Sequence, residues 1–279
     1  MSDSPTPYRW SLKARQKSKR VLGESKTLTL DDNLFMAQLQ IQLPVPDLFA
    51  AASYRGTCIH AVNGEELVTD CSGIVYWPTH QMVLVADLHL EKGASLARRG
   101  QLLPPYDTMT TLRRLKHSLD KWHPKSVIAL GDSFHDVEAS RRLPAQARDS
   151  LNEMMRGRQW VWITGNHDPE PPENLGGEVF DELRIDRLIL RHEPQRDGDA
   201  GELAGHLHPK ARLMRRGRSV RRSCFAASTT RMILPSFGAY TGGLNVFDPA
   251  FDGLFDARNF HALMRGDEQV YRIAAADLS

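Results

Sequence analysis

The sequence predicts an α/β fold, and three observations carry that prediction. Short apolar, β-branched runs recur along the chain, and several of them stop in polar residues of metal-ligand type. Two stretches with helical spacing separate those runs in the first half. In the second half strand-like runs follow one another with little between them. The clearest run is Trp160 to Thr164, which stops in Gly165-Asn166-His167-Asp168 with Pro169 barring continuation. In open α/β sheets, that end of a strand is where sites are built.

Composition narrows the class. The chain has 279 residues, 41% of them hydrophobic, enough for one sizeable core. A formal net charge of +2 does not by itself single out a polyanionic partner. Cys58, Cys71 and Cys224 are widely separated and form no Cys-x-x-Cys, which argues against a disulfide framework or a thiolate zinc site. A reduced, cytoplasmic setting follows. No apolar run approaches the roughly 18 residues of a membrane helix, and the N-terminus lacks the apolar centre of a secretory signal. Residues 1–50 are read as a basic, disordered extension, rich in Ser, Pro and Gln around Arg9, Lys13, Arg15, Lys17, Lys19 and Arg20. The alternative for it is a basic arm touching nucleic acid. Residues 51–279 are read as the globular domain.

The elements follow in order. Cys58–Val62 and Leu67-Val68 flank Asn63-Gly64, a hairpin turn. Gly73–Trp77 is a strand. Met82–Ala86 is a buried strand ending in Asp87-Leu88-His89, followed by a basic loop with Lys92, Arg98 and Arg99. Pro104-Pro105 precede a helix running to about Trp122, which buries the stripe Met109, Leu112, Leu115, Leu119 and Trp122. Ser126–Leu130 is a strand ending in Gly131-Asp132-Ser133-Phe134-His135-Asp136. A second helix spans Pro144–Met155, with Gly157 past its end. After a proline-rich loop, Ile185–Leu190 is a strand that delivers His192. Glu202–Ala204 leads into Gly205-His206-Leu207-His208-Pro209. Ala211–Met214, Ser223–Ala227, Arg231–Leu234 and Gly243–Phe247 complete the strands.

The residues at the strand ends form one chemical set. Asp87, His89, Asp132, Asn166, His167, His192, His206 and His208 offer oxygen and nitrogen donors without a thiolate. Such a set suits Mn, Fe or Zn and is too rich in imidazole for Ca or Mg. It exceeds one metal's need, so two adjacent divalent cations sharing a carboxylate are the economical solution, with His167 left for chemistry. In Asp87-x-His89 and His206-x-His208, both side chains leave one face of an extended segment. A single His or Asp at a strand end is more often a solvated turn residue; five ordered occurrences reverse that reading.

Asp-x-His, Gly-Asp, Gly-Asn-His-Asp, a lone His and Gly-His-x-His, in that order over Met82 to Pro209, resemble the calcineurin-like metallophosphoesterase superfamily. Asp87-Leu88-His89-Leu90-Glu91-Lys92-Gly93, Arg98-Arg99-Gly100-Gln101-Leu102-Leu103-Pro104 and Ala204 to Lys210 are similar to a bacterial branch of it. That branch is named as ligase-associated DNA-damage-response phosphoesterases or endonucleases. The resemblance implies a four-layer α/β/β/α sandwich of two mixed sheets. It implies that Asp87, His89, Asp132 and His208 hold one metal, and that Asp132, Asn166, His192 and His206 hold the other. It implies manganese first, with iron or zinc as alternatives. His167 would protonate the leaving group and Asp168 would orient its ring. Arg98 and Arg99 would clamp phosphate, while His135 and Asp136 read either as substrate contacts or as a turn and helix cap. The expected activity is phosphodiester hydrolysis in nucleic acid, with repair proteins associated with DNA ligase as partners. A small-nucleotide phosphatase or pyrophosphohydrolase, or an inactive binding scaffold, stands as the alternative. The run Arg212, Arg215, Arg216, Arg218, Arg221 and Arg222 supports two readings equally, a solvated charged hairpin turning at Gly217 or a polyanion-binding patch.

Overall fold

The computed structural model of the protein describes residues 13–15, 54–101, 106–170, 172, 174–215, 217–256 and 259–279. Most of the extension read over residues 1–50 lies outside them. Its described part is β1 (Lys13–Arg15). The strands continue as β2 (Thr57–Val62), β3 (Glu65–Asp70), β4 (Val75–Trp77), β5 (Met82–Val85), β6 (Ser126–Leu130), β7 (Gln159–Ile163) and β8 (Glu178–Phe180). They end with β9 (Glu182–Ile185), β10 (Leu188–Arg191), β11 (Glu202–Ala204), β12 (Lys210–Arg215), β13 (Arg218–Ala227), β14 (Arg231–Ile233), β15 (His261–Arg265) and β16 (Val270–Ala274). The helices are α1 (Lys92–Arg98), α2 (Asp107–Trp122), α3 (Ala139–Arg142) and α4 (Ala145–Met155).

Two mixed sheets result. One runs β2-β3-β4-β5-β6-β7-β8, antiparallel up to β5 and parallel from β5 to β8. The other runs β1-β9-β10-β11-β14-β13-β15-β16, with β12 paired to β13. Their facing sides make the central core, where Trp77, Leu84, Ile128 and Leu130 meet Leu190, Leu203, Phe225 and Met232. The intervening residues of the first sheet, such as Val127 and Ala129, point the other way, onto Leu112, Leu115, Leu119 and Leu151 of α2 and α4. That alternation of period two is what a strand covered on both faces requires. The outer face of the second sheet is covered by Phe251, Leu254 and Phe260 from the segment between β14 and β15. The architecture is the expected mixed α/β sandwich of two sheets.

Three local expectations are corrected. The basic loop after His89 contains α1. The run Ile185–Leu190 is divided between β9 and β10, because the chain turns at Asp186, whose φ is 49°. Gly243–Phe247 is not a strand; it meets Lys210 through one isolated bridge at Asn245. Strands β8, β15 and β16 and the short helix α3 had no clear sequence signal. Among the described residues, no helix is long and apolar enough to cross a membrane.

Candidate metal centre and active site

The parallel strands bring the polar ends together. In the first sheet β5, β6 and β7 lie side by side and in parallel, so Asp87, Asp132 and Asn166 follow neighbouring strand ends. In the second sheet β10 and β11 do the same for His192 and His206. The loops are then joined to one another. His89 N–H donates to Asp132 O (2.9 Å), Leu90 N–H to Ser133 O (2.9 Å) and Gly205 N–H to His192 O (2.9 Å). His167 N–H donates to Asp132 Oδ1 (2.9 Å), and His206 N–H to Asp87 Oδ2 (3.1 Å).

The backbone is strained where the donors sit. Asp87 (φ 54°), His89 (44°), Asp132 (46°), His206 (70°) and His208 (47°) are all in the left-handed region. Each non-glycine residue there costs roughly 1–2 kcal/mol. Such strain persists only where surrounding contacts over-determine it. Glycine makes room beside them. A Cβ on Gly131, itself at φ +75°, would come within 2.4 Å of the His192 ring. One on Gly165 would lie 2.2 Å from Asp132 N.

The side chains sort into two donor groups. Asp87, His89 and His208 form one; Asp132, His192 and His206 form the other, and within each the donor atoms lie within 4.8 Å of one another. Asn166 Oδ1 joins the second group, 2.9 Å from His192 Nε2 and 3.0 Å from His206 Nδ1. Asp132 stands between them, with Oδ1 3.4 Å from His192 Nε2 and Oδ2 3.9 Å from His89 Nε2.

This arrangement fits cations. His192 Nδ1–H donates to Leu130 O (3.0 Å), so Nε2 of the neutral ring is a bare lone pair. That lone pair faces Asn166 Oδ1 and Asp132 Oδ1. Three lone pairs converging in this way repel one another unless positive charge stands among them. In the first group His89 Nε2 and His208 Nε2 are 3.3 Å apart. Burial, and then the neighbouring His208, hold the His89 imidazole far below its ordinary range. Burial followed by His192 lowers His206. Neutral imidazole is the ligating form.

No protein-family model matches the chain, and no curated protein matches it. Among solved structures, the nuclease MPE of Pseudomonas putida aligns at 30% identity with a TM-score of 0.61, over 77% of this chain and 100% of that one. The chain belongs to the calcineurin-like metallophosphoesterase superfamily. The protein is accordingly a hydrolase acting on phosphoester bonds. A structure of Yfce, a phosphoesterase from E. coli, aligns at 15% identity with a TM-score of 0.35, over 70% of this chain and 98% of that one. A likeness so remote adds nothing about chemistry.

In this metallophosphoesterase His167 stands beside the donor groups. Its ring stacks on His135 at 5.0 Å and 21°, and Nδ1–H donates to His135 O (2.8 Å). Its Nε2 is 3.9 Å from Asp132 Oδ2. The expectation that Asp168 orients this ring is corrected. The Asp168 carboxyl instead accepts N–H from Phe134 (3.1 Å) and Gly165 (3.0 Å), tying the two loops together. Burial pushes it up to about 8 against the pull of those N–H groups. The carbonyl of His135 holds the His167 ring. His135 itself is buried, and burial, then Lys92, lower its imidazole to about 4. Arg98 reaches Asp136 (3.3 Å), which Arg142 also holds (2.7 Å). Arg99 caps the C-terminus of α1 and is exposed.

Sequence reading missed two features. Lys92 sits on α1, where its ammonium feels Asp107 and Asp132 and depresses both His89 and His135. Its place three residues after His89 was the available signal. The second is a cleft of ≈ 400 Å³ beside His208, lined in part by Arg114 and Arg265. Nothing in the sequence ties those two distant arginines to the site.

Proposed function

We propose that the protein is a two-metal phosphodiesterase acting on nucleic acid. The observation that carries this reading is Asp132, whose two oxygens face two separate donor groups. In this reading Asp87, His89, Asp132 and His208 hold one divalent ion, and Asp132, Asn166, His192 and His206 hold the other. The oxygen and imidazole donors favour manganese, with iron or zinc as alternatives. When bound, the pair supplies Lewis acidity for the phosphoryl group and a lowered pKa for water.

The chain's own residues do the rest. His167 Nδ1–H is committed to the His135 carbonyl, so an acid at Nε2 requires the imidazolium form. Asp132 Oδ2 lies 3.9 Å from that nitrogen. The proton at Nε2 then goes to the departing oxygen of the ester. Lys92, Arg98 and Arg99 present positive charge to the phosphate from α1 and its end. The nuclease name of the Pseudomonas putida relative supports nucleic acid as the substrate class. Repair proteins that act with DNA ligase are the partners proposed.

The test is a metal-resolved screen with bis-p-nitrophenyl phosphate, p-nitrophenyl phosphate and DNA of several forms. Diester and DNA hydrolysis should exceed monoester hydrolysis, with Mn at or near the top. Preference for monoesters or free nucleotides would instead favour a small-nucleotide hydrolase.

A further inference from the structure

The cleft beside His208 lies between β13, β15 and the loop 236–242, with α2 contributing Arg114. Among the described residues five cationic side chains line it, Arg114, Lys210, Arg221, Arg222 and Arg265, and no carboxylate does. Two of these charges form its fixed floor. Arg265 donates to Cys71 O (2.9 Å), Ser72 O (2.7 Å) and Ser223 Oγ (3.1 Å). Arg114 lies over the Phe237 ring at 4.7 Å and donates to Ser72 O (3.2 Å). All of these partners are neutral. Burial, and then the charge of Arg114, pull Arg265 down to about 10. Buried like charges satisfied only by carbonyls and hydroxyls cost stability unless an anion comes to them.

The mouth of the cleft repeats the pattern. Arg221 donates to Gly243 O (3.0 Å) and stands directly across the hairpin from Arg212. Like charges so placed destabilise a ladder. Lys210 meets no carboxylate among the described residues. Arg222 reaches one acid, Asp267, at 3.8 Å, but with side chains 53% and 87% exposed that pair is weak. Lys210 is two residues from His208, so the mouth opens directly onto the first donor group. The volume is that of a site for one nucleotide-sized unit.

We propose that this cleft seats a backbone phosphate next to the one being hydrolysed, so that the enzyme grips a polynucleotide strand through two phosphates at once. The proposal rests on the nucleic-acid reading given above. It assigns the arginine-rich hairpin to both of its sequence readings. Its root, at Arg221 and Arg222, faces the substrate, and Arg212 and Arg218 are exposed to solvent.

The experiment compares wild type with the double variant Lys210→Ala, Arg221→Ala, both loaded with Mn. The readouts are kcat/KM on a short oligothymidylate and on bis-p-nitrophenyl phosphate, across a salt series. The ratio of the two should fall about tenfold in the variant, mainly through KM, the scale of one lost charge-assisted contact. The slope of log kcat/KM against log salt on the oligonucleotide should become shallower by about 0.7, the value for one phosphate on a single strand. An unchanged ratio and slope, with wild type cutting DNA, would overturn the cleft proposal and leave the nucleic-acid reading standing. Equal losses on both substrates, with an unchanged slope, would also overturn it, assigning the cleft to the scaffold of the metal ligands. Wild type that hydrolyses the chromogenic diester but no DNA would overturn both.

Discussion

Replacing His167 with alanine separates metal binding from chemistry. The ring makes one hydrogen bond, Nδ1–H to His135 O at 2.8 Å, one stack on His135 and one edge-to-face contact with His89 at 5.2 Å. Each such interaction is worth about 0.5–1.5 kcal/mol. The side chain is 39% exposed, so its removal opens no sealed cavity. His167→Ala should therefore cost roughly 1.5–4.5 kcal/mol and remain folded. It belongs to neither donor group, so both metals should stay. The rate on esters with poor leaving groups should fall roughly 10²–10⁴-fold, the contribution of a general acid. With p-nitrophenolate as leaving group, which departs without a proton, most of that loss should vanish. Because Nδ1–H is already committed to the His135 carbonyl, the proton delivered to the leaving group has to sit at Nε2. The assays are elemental analysis, thermal denaturation and steady-state kinetics on a matched pair of diesters. An equal rate loss on both diesters, or loss of a metal, would refute the reasoning.

Asp132→Asn should lower the occupancy of both metals together in elemental analysis, since its oxygens face both groups; retention of two equivalents would remove its bridging role. Gly131→Ala combines a left-handed backbone with a contact of 2.4 Å to His192. It should cost roughly 2–5 kcal/mol and deplete one metal more than the other, checked by calorimetry and metal content. Glu202, 1% exposed, lies 3.2 Å from Arg191 Nη1 and 2.5 Å from Arg231 Nε. Glu202→Ala leaves the buried Arg231 guanidinium without its carboxylate, while Arg191 keeps Glu182, and should cost about 3–5 kcal/mol, lowering Tm by roughly 6–20 °C. A change within a degree or two would show Arg231 to be solvated.

Much of the fold was legible because local pattern and tertiary demand agree. Val127–Leu130 is apolar throughout because β6 is covered on both faces, and the Met109–Trp122 stripe is apolar because α2 packs on the sheet. The elements that escaped notice are those whose local signal is short or contradictory. β8 has three residues, and β9 and β10 share one apolar run broken only by the turn at Asp186. Gly243–Phe247 misled in the other direction, because its one buried apolar residue, Val246, packs from a loop.

The sequence by itself determined which donors exist and where along the chain they fall. Asp87, His89, Asp132, Asn166, His192, His206 and His208 each follow a run that has to become a strand, and a strand ends where its apolar pattern ends. It also determined that no thiolate takes part. Only the tertiary structure decided how those donors divide. The division depends on which strands are neighbours in which sheet, and that is a matter of long-range pairing with no local trace. The same pairing put Asp168 under the Phe134 loop, away from His167, and gave His135's carbonyl the task of holding that ring. It also carried Arg114 from α2 and Arg265 from β15 to one cleft beside His208. Their charges look like ordinary solvated ones in sequence, because burial among neutral partners is a property of packing alone.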